Sequence, residues 1–267
     1  MHPISRAIWS LVGSLACVGT IVNAAGVAEI DIVFPRTNGT YAPTEKFPIV
    51  FAVQNIELAK VLVPAFFSFV RNGTNMTLSF GHSTQEPTWG NYSSEPYFVW
   101  RYVNIDTEGP YEVFSTVSWR SCDESSDQVA ILSNTTNFLV PFTIKRGAQD
   151  ADLVAATDDD KICSAKGIAI NFTNRTYDVP PNPIVDRQPS GTCAVLASAS
   201  PTVTANPCRV KIDSAVVASM DAWYHAALCK GLNPPADCPK ENNAGKLATV
   251  AVASFAAVLG AIGFILA

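Results

Sequence analysis

From residue 29 to residue 146 the chain is a succession of short runs in which apolar residues fall on every second position, broken by turns rich in Gly, Pro and Asn. FPIVFAVQN is the clearest of them. Phe47, Ile49, Phe51 and Val53 fall on one face of it, because successive side chains of extended backbone point to opposite sides. EIDIVF, AFFSFVR, MTLSF, YFVWRYVN, YEVFSTVSW and NFLVPFTIK read the same way. About seven short strands without intervening helices must bury their apolar faces on one another, which predicts an immunoglobulin-like β-sandwich over residues 25–146.

A local motif sharpens that expectation. DTEGPYEV, residues 106–113, resembles the tyrosine corner of immunoglobulin-like domains, where a Tyr hydroxyl pins the chain as it enters a strand. The residue two after Tyr111 is Val113 rather than Cys, so the usual inter-sheet disulfide is not expected.

Residues 147–241 read as a Cys-rich extension with one helix. GIAINFT and TCAVLAS look like strands, and SASPTVTANP like a short extended linker. Residues 213–228 then place Val216, Met220, Trp223 and Ala227 at helical spacing, flanked by Val217, Tyr224 and Leu228. This helix is expected to pack on the sandwich. The predicted class is therefore mostly β, an immunoglobulin-like β-sandwich with a small disulfide-rich C-terminal β/helix appendage.

Both ends carry targeting signals. Arg6 precedes an apolar stretch over residues 7–22, and Val22, Asn23 and Ala24 form a small-residue cleavage site, so residues 1–24 read as a signal peptide and the mature chain begins near Ala25. Residues 247–267 are uncharged and about long enough to span a bilayer. The small residues just before them suit a transamidase, so residues 242–267 read as a GPI-attachment signal cleaved at Asn243, with Asn242 the second choice and a retained membrane tail the alternative. Removing Arg6 and Lys246 leaves 16 basic against 23 acidic residues, a formal charge of −7. No nucleic acid is expected as a partner, because phosphate binding needs clustered Lys and Arg.

Cys17 leaves with the signal peptide, and Cys122, Cys163, Cys193, Cys208, Cys229 and Cys238 remain, an even count that reads as three disulfides in an oxidising compartment. None of the spacings makes the close pairs of a zinc site. A helix between Cys208 and Cys229 holds them about 30 Å apart, too far to bond. Cys229 with Cys238 is the natural local loop, Cys163 with Cys193 the next pair, and Cys122 is left for Cys208. N-glycosylation sequons stand at Asn38, Asn72, Asn75, Asn91, Asn134, Asn171 and Asn174, and exposed turns and strand ends are their expected places.

Few residues suggest catalysis. FGHSTQ sets Gly81 and Ser83 as in a nucleophile elbow, but Gln85 replaces the second Gly and no helix can start soon after, so an ordinary strand-end turn is the reading. Only His82 and His225 remain in the mature chain, which starves a histidine mechanism or a multi-histidine metal site; His225 is read as structural. No cofactor and no metal are expected. Asp106, Glu108, Glu112 and Asp123 are candidates for a glycosidase carboxylate pair, which spacing alone cannot place. Asp158, Asp159 and Asp160 read as a solvated acidic loop rather than a calcium site. Trp89, Tyr92 and Tyr97 form the candidate glycan-binding platform, since exposed aromatic faces stack on the CH faces of sugars. Trp100 and Tyr102 share strand parity and read equally as core.

EIDIVFPRTNGTYAPTEKFPIVFAVQN, residues 29–55, resembles the opening signature of a family of secreted fungal proteins classed as a domain of unknown function. DLVAATDDDKICSAKGIAINFT, GTCAVLASASPT and PCRVKIDSAVVASM are similar to its C-terminal half. The resemblance implies a fungal secreted glycoprotein, often with a GPI-type tail, and brings no catalytic residue with it. The expected function is that of a GPI-anchored, N-glycosylated protein on the outer face of the plasma membrane or in the cell wall, acting as a structural, adhesive or glycan-binding module. Its expected partners are cell-wall glycans or surface proteins, and the membrane through a lipid anchor or tail. The alternative is an enzyme that modifies wall polysaccharide with a carboxylate pair.

Overall fold

The computed structural model describes residues 26–74, 79–85, 95–125, 129–158, 165–181, 190–197 and 204–239. Residues 1–24, read above as a signal peptide, residues 242–267 with Asn243, and Asn75, Asn91, Trp89, Tyr92 and Cys163 lie outside them.

The fold is mostly β. β1 (Val27–Phe34) runs antiparallel to β3 (Thr44–Gln54) on one side and to β9 (Lys166–Val179) on the other, and β6 (Tyr97–Ile105) pairs with the free edge of β3. β7 (Gly109–Asp123) is flanked by β4 (Ala65–Asn72) and β8 (Ala130–Ile144), with β5 (Ser79–Gln85) beyond β4 and the short β2 (Gly39–Tyr41) parallel to β8. β10 (Gly191–Leu196) joins the two groups, antiparallel to β9 and parallel to the end of β7, where Val195 stands opposite Cys122. The result is one mixed ten-stranded sheet.

That sheet folds over on itself, because side chains from strands that are not neighbours meet. Phe47 of β3 stacks on Phe142 of β8 with ring centroids 4.8 Å apart, and Phe51 of β3 meets Phe66 of β4 at 5.1 Å. Ile32 lies opposite Phe51 and Phe51 opposite Val99, so β1, β3 and β6 present one common inner face. The face of Phe47, Ile49, Phe51 and Val53 is buried as its period requires.

The other face of β3 differs from the half-buried strand that alternation predicts, since Val50 and Ala52 are buried too. The C-terminal segment lies over it. α2 (Leu153–Asp158), a 3-10 turn at Pro207–Arg209 and α3 (Ser214–Cys229) bring Leu153, Val210, Ile212 and Met220 into the same core as β1 and β3. Asp213 starts α3, its carboxylate accepting from the Val216 amide at 2.8 Å and so satisfying a donor that the first turn leaves free. α3 packs most deeply in its first half: Val216 and Val217 are half-buried and Met220 is buried, whereas beyond it Tyr224 is half-buried and Trp223 and Leu228 are exposed. α1 (Ile56–Leu62), a helix that strand reading passes over, follows β3 directly and buries Ile56, Ala59 and Leu62. Among the described residues no helix is long and apolar enough to cross a membrane.

The tyrosine corner is formed. Tyr111, 2% exposed, donates its hydroxyl to the Thr107 carbonyl at 2.9 Å. Cys229 bonds to Cys238, as the local loop predicts. The other expected pairs are corrected. Cys122 bonds to Cys193, Cα to Cα 5.2 Å, and so neither Cys163–Cys193 nor Cys122–Cys208 forms. The cause is β10, which carries Cys193 to the end of β7 through a parallel contact that no local pattern announces. Cys208 is disulfide-bonded as well.

Candidate functional site

Strand parity divides the aromatic residues of β6. Tyr97 lies opposite Val53, on the inner face, and is half-buried against the main core. Trp100 lies opposite Val50 and Tyr102 opposite Pro48, which puts both on the outer face beneath α3. There the helix brings two further rings. Trp223 meets Trp100 edge to face with centroids 5.4 Å apart, Tyr224 meets Tyr102 in the same way at 5.0 Å, and Trp100 touches Tyr102 at 5.4 Å. Edge-to-face contacts of this kind suit the aromatic quadrupole and hold each ring at a fixed tilt.

Polar groups frame the cluster. The Tyr102 hydroxyl donates to Asp221 Oδ1 at 2.9 Å, and Lys46 Nζ lies 3.5 Å from the same oxygen. Burial first, then the Asp221 hydrogen bond and charge, push the Tyr102 phenol well above its ordinary range, so it stays protonated and remains a donor. Trp223 is 66% exposed, and Lys46 and Asp221 stand half in solvent around the Tyr102 hydroxyl. An exposed indole resting on further rings offers an apolar plane, and the carboxylate and ammonium at the Tyr102 hydroxyl add hydrogen-bonding groups to the same ring cluster. That combination suits a pyranose, which has a CH face and equatorial hydroxyls.

The sequence-predicted trio is thus not brought together among the described residues: Tyr97 is on the inner side, and Trp89 and Tyr92 lie outside them. Trp223 and Tyr224 were assigned to the packing stripe of the helix. The usable signal was two adjacent aromatic residues, which a helix sets about 100° apart, so that Tyr224 can turn inward while Trp223 lies at the margin of the stripe.

The candidate carboxylates do not converge. Asp106 and Glu108 are exposed, and Glu108 accepts from the Arg146 amide at 2.6 Å. Glu112 is ion-paired with Arg71, and Asp123 accepts from the Ser125 amide. Glu112 and Asp123 lie eleven positions apart on β7, hence about 36 Å. Ser83 sits within β5, in register with Ser68, so no strand-to-helix elbow forms. The Asp158 carbonyl accepts from Lys211, and Asp159 and Asp160 fall outside the described residues. His225, Cys229 and Cys238 set their donor atoms within 4.8 Å of one another, but both sulfurs are bonded and neither is a thiolate.

A different acidic pair was missed. Glu29 and Asp31 share the outer face of β1, 3% and 0% exposed, and Gln54 Nε2 donates to Asp31 at 2.6 Å and to Glu29 at 3.3 Å. Arg209 Nη2 pairs with Glu29 at 2.6 Å, and the Asn206 amide donates to the other Glu29 oxygen. Burial, reinforced by the neighbouring Glu29 charge, pushes the Asp31 carboxyl up to about 7 despite the Gln54 hydrogen bond and Arg209, which act the other way. No solvent reaches Asp31, so the pair clasps the C-terminal segment to β1 and has no face to offer a substrate.

Asn38 stands exposed on a left-handed turn, and Asn72 closes the end of β4, where Thr74 donates to its Oδ1. Asn134 lies within β8 and donates to Ser121, and Asn171 and Asn174 are positions of β9.

The profile of a family described as a domain of unknown function (DUF7136) matches residues 23–238. The chain belongs to that family. The match takes in all ten strands, α3 and both described disulfides, so the aromatic face and the buried acid clasp are parts of the family's domain rather than additions to it. No curated protein and no solved structure matches the chain.

Proposed function

We propose that the protein is a GPI-anchored, N-glycosylated glycoprotein of the cell surface or cell wall, with an immunoglobulin-like β-sandwich that presents a glycan-binding face. The Tyr111 corner and the Phe47–Phe142 packing support the immunoglobulin-like reading. The secretory signal, the uncharged tail behind Asn243 and the sequons support the location and the modification. The observation that carries the binding reading is Trp223, an indole left two-thirds in solvent and braced edge-on by Trp100 in a cluster that Tyr102 and Tyr224 complete. An exposed aromatic plane held at a fixed tilt by further rings is the arrangement that stacks on the CH face of a sugar.

A glycan array probed with the secreted protein tests this. Binding to polymers of pyranose sugars is expected, and Trp223→Ala should weaken it on the order of tenfold, the equivalent of about 1.4 kcal/mol. Equal binding by the variant, or none by either protein, refutes the reading.

A further inference from the structure

The two described disulfides sit in opposite environments. Cys193 is fully buried and Cys122 nearly so, packed with Ile131, Val179 and Val195. Cys229 and Cys238 are both partly exposed, and the loop between them covers nothing: Gly231, Asn233 and Pro234 are exposed and Leu232 is 100% exposed. Opening this bond would uncover no core, since α3 is held by Met220, Val216 and Val217 further back.

Beside the exposed bond stands His225, one helical turn before Cys229. Its Nδ1 lies 3.8 Å from Cys229 Sγ, and its Nε2 lies 3.1 Å from an Asp237 carboxylate oxygen. The His225 hydrogen bond holds the Asp237 carboxyl below its ordinary range. Asp237 thus orients the ring from one side and leaves the other nitrogen on the sulfur, an Asp–His–Cys order in which a charged imidazole can face a thiolate. Cys229 is the last residue of α3, where the negative end of the helix dipole opposes a thiolate. Stabilisation of that thiolate therefore falls to His225.

We infer that Cys229–Cys238 is an exchangeable disulfide, open to small thiols of the glutathione type, with His225 stabilising the Cys229 thiolate that leaves. The incoming thiolate attacks Cys238 Sγ; a new S–S bond forms there, the Cys229–Cys238 bond breaks, and its electron pair goes to Cys229 Sγ. One disulfide and one thiolate are consumed and one of each is formed, so no oxidant or reductant beyond the thiol is needed. The asymmetry is the distinctive claim: a thiol with a stabilised anion leaves faster, so the adduct belongs on Cys238. This site is independent of the aromatic face.

The secreted protein would be incubated with reduced glutathione near neutral pH, where an imidazole can carry charge and some of the thiol is ionised, then quenched with acid and mapped by mass spectrometry. Glutathione on Cys238 with a free thiol on Cys229 is expected, while Cys122–Cys193 stays closed. His225→Gln, which keeps hydrogen bonding but cannot carry charge, should slow exchange about 3- to 10-fold, and His225→Lys should restore most of the rate. His225 is half-exposed, so both variants should melt as the parent does. An adduct on Cys229 with Cys238 free, an unchanged rate in His225→Gln, or opening of Cys122–Cys193 at the same rate overturns the inference.

Discussion

Replacing Asp31 by Asn should remove a pH dependence from the stability of this fold. The Asp31 carboxyl is fully buried beside Glu29, and its pKa is raised from 3.8 to about 7. The folded chain therefore keeps a proton that the unfolded chain gives up. Between those two values the native state binds more protons than the unfolded state, so this group's contribution is fully present below about pH 4 and is lost as pH rises to about 7. Three or so pK units at about 1.4 kcal/mol each make the loss about 4 kcal/mol. An Asn is nearly isosteric and can go on accepting from Gln54 Nε2, but it cannot ionise. Asp31 Oδ1 has no hydrogen-bond partner among the described residues, and an amide nitrogen placed there would have none either, a pH-independent cost of about 1 to 2 kcal/mol. The variant should thus be slightly less stable than the parent at pH 4 and about 2 to 3 kcal/mol more stable at pH 8. Denaturant unfolding followed by tryptophan fluorescence at several pH values measures both curves, and their difference isolates Asp31. If the difference is flat across that range, the carboxyl does not hold its proton in the folded state and the reasoning fails.

Two further outcomes follow from the interior. Tyr111→Phe should cost on the order of 1 kcal/mol by deleting the bond to the Thr107 carbonyl, and an unchanged melting temperature would show that the corner contributes nothing. Arg101 reaches inward from β6, gives Nε to Ser68 at 3.0 Å, and has an Nη2 with no partner among the described residues; burial lowers its pKa to about 10. Arg101→Met, which fills the same space without a charge, should stabilise the fold by about 1 to 2 kcal/mol, and a loss of more than about 1 kcal/mol would mean the guanidinium is compensated after all.

How much of the site could be read in advance depends on how locally each part is encoded. Trp100 and Tyr102 were visible as aromatic residues of equal parity on a strand. Whether that parity faced the interior or the outer layer was not, because β6 carries the charged Arg101 on its inner face and apolar rings on its outer face, so polarity does not mark the core side. Trp223 was visible as a helical apolar position, and the expected stripe placed it inward. In fact Trp223 touches Trp100 by an edge and leaves most of its surface in solvent. The Glu29–Asp31 pair was hidden more deeply. Two acidic residues in EIDIVF look like the solvent side of an alternating strand, and only the arrival of Arg209, Asn206 and Gln54 makes their burial tolerable.

The amino-acid sequence by itself determined what depends on near neighbours. The two-residue period marked out the long strands, GIAINFT and TCAVLAS included; the spacing from Val216 marked α3; Tyr111 closed onto a carbonyl four residues back; Cys238 could double back on Cys229 through GLNPPAD. Tertiary structure decided the rest: that β10 bridges the two halves of the sheet and pairs Cys193 with Cys122, 71 positions away, that a C-terminal segment seals the outer face of β1 and β3, and that Trp223 meets Trp100. Periodicity records which side of an element is apolar. It carries no record of which distant segment comes to cover that side, because that choice is made by the packing of the whole chain.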